Sequence, residues 1–273
     1  MWHSHGSRQT IYRFMTELNN KKVYFLSDFH LGVPALKTSE EREKSICRCL
    51  EFMSKDAHSI FLVGDVFDFW FDYKKVIPRG FIRIFAQLQS LRDKNIHVYF
   101  FKGNHDLWMF DYFQKELQIP IFSEAQTFEF NHKKFLIGHG DGLGPGDHGY
   151  KFIKKIFTSR LCQFAFRWIH PDIGISIAQF FSNKSRYSQE LIQDYLGPEK
   201  EWLVQYCEDR IKTEYFDYLI FGHRHLPIDY LLKNTKSRYI NLGDWLSFQS
   251  YAVFDGENLQ IQFFENENGK IYK

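Results

Sequence analysis

Ile60-Phe61-Leu62-Val63-Gly64-Asp65-Val66-Phe67-Asp68-Phe69-Trp70 is an apolar run that stops at Gly-Asp and delivers one carboxylate to the edge of a core. Ile60 to Val63 is short, β-rich and apolar on both faces, which reads as a strand buried inside a parallel or mixed sheet. Asp65 follows its carboxyl end, the edge where open α/β sheets bind ligands, and Gly64 permits the sharp turn that aims it outward. Alone, Gly-Asp after a strand is equally an ordinary turn or helix cap.

The neighbouring segments repeat the design. Lys22-Val-Tyr-Phe-Leu-Ser-Asp28 ends in a carboxylate and continues Phe29-His30; an extended backbone would put Asp28 and His30 on one side. Thr38 to Lys55 carries Ile46, Leu50 and Met53 at helical spacing behind Thr38 and Ser39 as caps, a crossover helix returning to the Asp65 strand. A helical pattern from Phe81 to Leu91 leads into the strand Ile96 to Phe101, which ends in Lys102-Gly103-Asn104-His105-Asp106. After this βαβαβ unit come a helix near Leu107 to Leu117 and two strands joined by a tight turn, the second ending in Gly138-His139. A helix around Glu201 to Lys212 precedes the strand Tyr218 to Phe221, which ends in Gly222-His223-Arg224-His225. Four later strand-like pieces, 228–232, 238–242, 249–254 and 259–264, are expected to complete a second, largely antiparallel sheet.

Between 142 and 198 the alternation stops, and helical text rich in aromatics and bases replaces it. This is read as an insertion, or lid, within one catalytic domain spanning 20–273. Its bases cluster with Phe and Trp, and with Phe152, Phe157 and Phe164 that composition suits an amphiphile with an anionic head and apolar tails better than a soluble nucleotide. The alternative is a helical pair whose aromatics pack on the sheet.

The balance of 35 bases against 33 acids announces no nucleic-acid partner. Four cysteines show neither zinc spacing nor a disulfide framework, which suits a reducing cytoplasm. The first 18 residues lack the continuous apolar stretch of a signal peptide, and no segment reaches the length of a membrane span, so contact with a membrane is expected to be peripheral.

Five strand ends thus offer Asp28, His30, Asp65, Asn104, His139, His223 and His225, all oxygen or imidazole donors and no thiolate. That set suits Mn²⁺, Fe or Zn²⁺. Seven ligands with one shared carboxylate suffice for two ions, and a pair about 3.5–4 Å apart suits in-line attack on a phosphoryl group.

In these motifs, Asp28-Phe-His30, Gly64-Asp65, Gly103-Asn-His-Asp106, Gly138-His139 and Gly222-His-Arg-His225, the chain resembles the calcineurin-like metallophosphoesterases. The resemblance implies a four-layer αββα sandwich and two divalent ions, with Mn²⁺ the leading choice. It implies one metal on Asp28, His30, Asp65 and His225, and a second on Asp65, Asn104, His139 and His223, bridged by Asp65. A narrower set of passages, Gly64-Asp-Val-Phe-Asp-Phe-Trp70, His139-Gly-Asp141 with Asp147 and Tyr150, His170-Pro171, Asn183-Lys-Ser-Arg186 and Leu242-Gly-Asp-Trp245, resembles the UDP-2,3-diacylglucosamine pyrophosphatases of lipid A synthesis. That resemblance implies a nucleotide-linked diacyl sugar as substrate, at the inner face of the cytoplasmic membrane. Asn183, Lys184 and Arg186 are read as phosphate or sugar contacts, or as a solvated charged turn. One position departs: the best-known of those pyrophosphatases carry Arg where this chain has His105. His105, oriented by Asp106, is read as an acid for the leaving group, or as a group stabilising charge on the phosphoryl oxygens, and leaves open a general phosphodiesterase or phosphatase. A scaffold that has lost its metals is the non-catalytic alternative.

Overall fold

The computed structural model describes residues 14–33, 35–145, 148–178, 195 and 197–273. Strands β2 (Lys22–Leu26), β3 (Ala57–Val63) and β4 (His97–Phe101) pair in parallel, joined by α1 (Ser39–Met53) and α2 (Ile82–Asp93) as the hydrophobic periods predict. Helix α1 opens with a capping box. Thr38 Oγ1 accepts the Glu41 N–H at 3.2 Å, and Glu41 Oε2 accepts the Thr38 N–H at 2.9 Å, which fixes where the chain leaves the β2 loop.

Two six-stranded sheets result. One runs β12-β11-β2-β3-β4-β5, where β5 is Ile121–Phe122, β11 Ser250–Phe254 and β12 Leu259–Phe263. The other runs β1-β6-β7-β8-β10-β9, where β1 is Phe14–Thr16, β6 Gln126–Phe130, β7 Lys133–Ile137, β8 Tyr218–Phe221, β9 Pro227–Leu231 and β10 Arg238–Leu242. Alternation along the strands sorts the core into three slabs. Leu26, Leu62 and Phe100 pack on α1 and α2, whereas Phe25, Phe61 and Phe101 face Phe128, Phe135 and Ile220 of the other sheet. Leu136, Leu219 and Phe221 meet Leu203, Val204 and Cys207 of α7 (Trp202–Arg210) on the far side. This is the αββα sandwich. Much of the phenylalanine surplus fills its middle, with Phe25 and Phe61 stacked at 5.2 Å and Phe61 edge-on to Phe128 at 4.8 Å.

Two expectations are corrected. The four late strands do not form one antiparallel sheet: β9 and β10 join the second sheet and β11 and β12 the first, and in the second sheet β7, β8 and β10 run parallel. The helix expected over Leu107 to Leu117 is only α3 (Tyr112–Glu116), because Trp108 is drawn into a β-bridge with Phe71.

Residues 142–198, where described, hold α4 (His148–Phe157), α5 (Arg160–Arg167) and helical residues 171–178 (α6). No helix among the described residues is long and apolar enough to cross a membrane.

Candidate metal centre

Parallel neighbours end at the same edge, so β2, β3 and β4 of one sheet and β7 and β8 of the other bring their carboxyl ends together. All seven expected ligands converge there. Asp28, His30 and His225 form one group with donor atoms within 4.8 Å of one another, and Asp65, His139 and His223 form a second. Asn104 Oδ1 stands 3.2 Å from His139 Nε2. Asp65 Oδ2 faces both groups, 3.3 Å from His139 Nε2 and 3.8 Å from His30 Nε2.

The backbone reaches this arrangement by a route the sequence does not announce. Asp28 and His30 are not extended: both are left-handed, at φ 55° and 45°, as are Asp65 (52°), His223 (66°) and His225 (58°). Such conformations cost a non-glycine residue on the order of 1–2 kcal/mol each and persist only where surroundings over-determine them. Here the loops lock each other, with His30 N–H donating to Asp65 O at 2.9 Å, Asp28 N–H to Gly64 O at 3.1 Å and Trp245 N–H to Asp28 O at 3.0 Å. Close approach also needs glycine. A Cβ on Gly103 would lie 2.1 Å from Asp65 Oδ1, and one on Gly64 2.4 Å from His139 Nδ1.

Each buried carboxylate is half satisfied. Asp28 Oδ2 accepts the His223 N–H at 3.1 Å and Asp65 Oδ1 the His105 N–H at 2.8 Å, while Asp28 Oδ1 and Asp65 Oδ2 accept no hydrogen bond. Buried anionic oxygens without donors are costly unless a cation meets them, so this donor set fits divalent metal. Burial alone would lower the basicity of His30, but Asp28, Asp68 and Asp65 outweigh it and push His30 up to about 10. His139 rises to about 10 in the same way, burial being overcome chiefly by Asp65. In the absence of metal, protons on His30 and His139 would balance the carboxylates, and a bound cation would displace them.

The imidazoles are held from behind. His139 Nδ1–H donates to Val63 O at 2.9 Å, which turns Nε2 towards the centre. His225 Nδ1 lies 3.3 Å from Asp244 Oδ2, and His30 Nδ1 3.5 Å from Asp68 Oδ1. Buried Arg42 of α1 donates to the carbonyls of Phe29, His30 and Val33 at 2.8, 2.7 and 2.6 Å, fixing the β2 loop. Sequence reasoning missed Arg42; Asp68 and Asp244 stood in the quoted passages without a role.

Asp106 does not orient His105. Its oxygens accept the N–H groups of Val66 and Gly103 at 2.9 and 2.6 Å, tying the β3 and β4 loops together. Asp68 takes that place, its carbonyl accepting from His105 Nδ1 at 3.0 Å and its Oδ1 lying 3.6 Å away. The His105 ring sits edge-on to His30 with centroids 4.8 Å apart.

The insertion is fastened beside this centre. Tyr150 Oη donates to Asp141 Oδ2 at 2.6 Å and Lys154 pairs with the same oxygen, two residues past His139. Phe166 packs on Trp108 at 4.5 Å and Phe71 at 4.9 Å, and Trp108 Nε1–H donates to Phe157 O at 2.7 Å. The core-packing alternative fails for Phe152 and Phe164, which are 66% and 58% exposed; Phe157 is 42% exposed, its ring 5.5 Å from Trp108. Asn183, Lys184, Arg186 and Asp147 lie outside the described residues.

The chain is similar to a UDP-2,3-diacylglucosamine hydrolase of Porphyromonas gingivalis, 34% identical over 258 residues that span 90% of this chain and 98% of the relative. It is similar to the protein of the same name from Yersinia pseudotuberculosis, 25% identical over 247 residues, 88% of this chain and 98% of that one. An archaeal phosphodiesterase of solved structure superposes with a TM-score of 0.46 and 14% identity, covering 88% of this chain and 98% of its own. The sequence profile of the calcineurin-like phosphoesterases matches residues 21–227, which include all five strand ends that carry the candidate ligands, and the chain belongs to that family.

Proposed function

We propose that the chain hydrolyses the pyrophosphate bond of UDP-2,3-diacylglucosamine, giving UMP and 2,3-diacylglucosamine 1-phosphate. Similarity along nearly the whole chain to a hydrolase of that name supports the substrate. The observation that carries the reading beyond a general phosphodiesterase is the insertion. Phe152, Ile153 and Ile156 of α4, Leu161 and Phe164 of α5 and Trp168 just past its end are exposed apolar side chains interleaved with Lys151, Lys155 and Arg160, on helices latched next to His139. Such faces suit an amphiphile with an anionic head and acyl tails. Burial of apolar surface is worth roughly 25 cal/mol per Å², so two acyl chains would supply much of the binding energy. The same faces would rest on the inner surface of the cytoplasmic membrane, and no nucleic acid is a partner in this reading.

Asp28, His30, Asp65 and His225 would hold one divalent ion and Asp65, Asn104, His139 and His223 the other, with Asp65 shared and Mn²⁺ the ion we favour. Bound there, the pair would supply Lewis-acid polarisation of the phosphoryl group and of the attacking water. The protein's own part is to aim the ligand atoms, to hold the lid over the centre and to present His105. With Nδ1–H anchored on Asp68 O, His105 can protonate the departing phosphate oxygen only from an Nε2–H of the doubly protonated ring, a form that burial disfavours, holding the ring below the usual imidazole range, and that the nearby carboxylates of Asp65 and Asp68 favour. Asn183, Lys184 and Arg186 remain our candidates for contacts to the phosphate or sugar.

The test compares kcat/KM for UDP-2,3-diacylglucosamine with that for bis(4-nitrophenyl) phosphate in wild type and in Phe152→Ser and Phe164→Ser. Loss of at least tenfold on the lipid substrate alone is expected. Equal turnover of both substrates by all three proteins would make the chain a general phosphodiesterase.

A further inference from the structure

A cleft of 740 Å³ runs from the end of β7, at His139, Gly140 and Asp141, past the segment between β5 and β6 to Tyr206 and Arg210 of α7. None of the exposed apolar side chains of α4 and α5 lines it. The β5–β6 segment is pressed against the loop that carries His139: a Cβ on Gly138 would lie 2.8 Å from Ala125 Cβ. Gln126, on the cleft wall, pairs across the sheet with Ile137, two residues before His139. Two residues of strand span about 7 Å, a gap that a nucleotide bridges between its phosphate and its base.

The charges of the cleft are spent among themselves. Asp141 holds Lys154 and Tyr150, and Glu214 takes Lys134 at 2.6 Å and Arg210 at 3.1 Å, while Lys102 lies over the Phe110 ring at 5.7 Å. Glu124 is exposed. Three bases and three acids on the walls cancel, which suits neither a second phosphate nor an acyl chain and suits a neutral group that forms hydrogen bonds. Hydrogen-bonding capacity is left over for one. The half-buried Gln126 amide gives one N–H to the Glu124 carbonyl at 3.2 Å, and its carbonyl oxygen and second N–H bond nothing among the described residues. A primary amide carries both a donor and an acceptor, the pair that an adjacent donor and acceptor on a nucleobase edge require.

We infer that this cleft seats the nucleoside of the substrate, with its phosphate at the metal centre and its base edge at Gln126. The inference rests on the reading that the substrate is a nucleotide-linked diacyl sugar, and it gives the second arm of that molecule a place. The exposed faces of α4 and α5 take the acyl tails, the polar cleft takes the nucleoside, and the scissile bond lies between them at the strand ends.

The experiment measures inhibition of bis(4-nitrophenyl) phosphate hydrolysis by UMP and by ribose 5-phosphate, which lacks the base, using the Mn²⁺-loaded full chain. UMP is expected to inhibit wild type at concentrations at least tenfold lower than ribose 5-phosphate. In Gln126→Leu, and in Gln126→Glu, which keeps the length of the side chain, that advantage is expected to fall below threefold, with circular dichroism as the control for folding. The substrate reading is tested apart, by UMP release from UDP-2,3-diacylglucosamine. No UMP release, together with an advantage of UMP that depends on Gln126, would refute that reading and leave the nucleoside cleft standing. No advantage of UMP in wild type, or an undiminished one in either folded variant, overturns the inference.

Discussion

Asp244→Asn isolates the geometry that keeps a metal-facing nitrogen available on His225. Asp244 Oδ2 lies 3.3 Å from His225 Nδ1, and Oδ1 accepts the N–H groups of Ser247 and Phe248 at 2.8 and 3.1 Å. Those two donors fix which way an asparagine can sit: its carbonyl must stay on them, so its NH₂ faces the imidazole. A donor opposite Nδ1 favours the tautomer with the proton on Nε2, the atom 3.3 Å from both Asp28 Oδ1 and His30 Nε2. The lone pair with which His225 would hold the first ion is then lost unless the ring turns. Replacing such an orienting carboxylate typically costs 10–100-fold in metal affinity, about 1.4–2.7 kcal/mol. The assay is calorimetric titration of the chelated protein with Mn²⁺, with circular dichroism as the control for folding. A weaker phase for one ion and an unchanged phase for the other are expected. Unaltered affinity for both ions in a folded Asp244→Asn protein would refute the orienting role.

Asp65→Ala should lose at least as much activity as Asn104→Ala, because Asp65 Oδ2 faces both ligand groups and Asn104 Oδ1 stands beside only the His139 group; steady-state assay at limiting Mn²⁺ decides. His105→Ala should lower kcat about a hundredfold on an alkyl phosphodiester, whose leaving group needs a proton, and less than tenfold on a nitrophenyl ester. Equal losses would assign His105 to charge stabilisation instead. Arg42→Leu strands the carbonyls of Phe29, His30 and Val33, so urea unfolding should show a loss of about 3 kcal/mol or more, with weakened metal binding through the displaced β2 loop.

The clustering of the candidate ligands was legible in sequence because each follows directly on an apolar strand, and parallel strands that end together must place such residues along one edge. Asp28 and His30 show the limit of that argument. Period-two spacing suggested a shared side of an extended segment, whereas both residues are left-handed and meet through the loop's hydrogen bonds to Gly64 and Asp65. Asp68 and Asp244 were visible as letters but not as partners, since contacts made through folded loops leave no spacing signal. Asp106, adjacent to His105 in sequence, drew the role that Asp68 fills in space. The late strands were misassigned to one sheet because their alternation records which face is buried and says nothing of which sheet they join. For Phe152 and Phe164 the contact-surface reading kept core packing as its alternative, because an apolar residue at helical spacing carries no mark of which surface it meets; their exposure favours the first.

The central claim is that two metal ions at these strand ends cleave a nucleotide-linked diacyl sugar. It is tested most directly by adding Mn²⁺ stepwise to the chelated protein in the presence of UDP-2,3-diacylglucosamine and measuring UMP release at each step. UMP formation that rises until two equivalents are bound, with 2,3-diacylglucosamine 1-phosphate in equal amount, is the predicted result. A protein that binds its metal and cleaves nitrophenyl diesters but releases no UMP at any stoichiometry would contradict it.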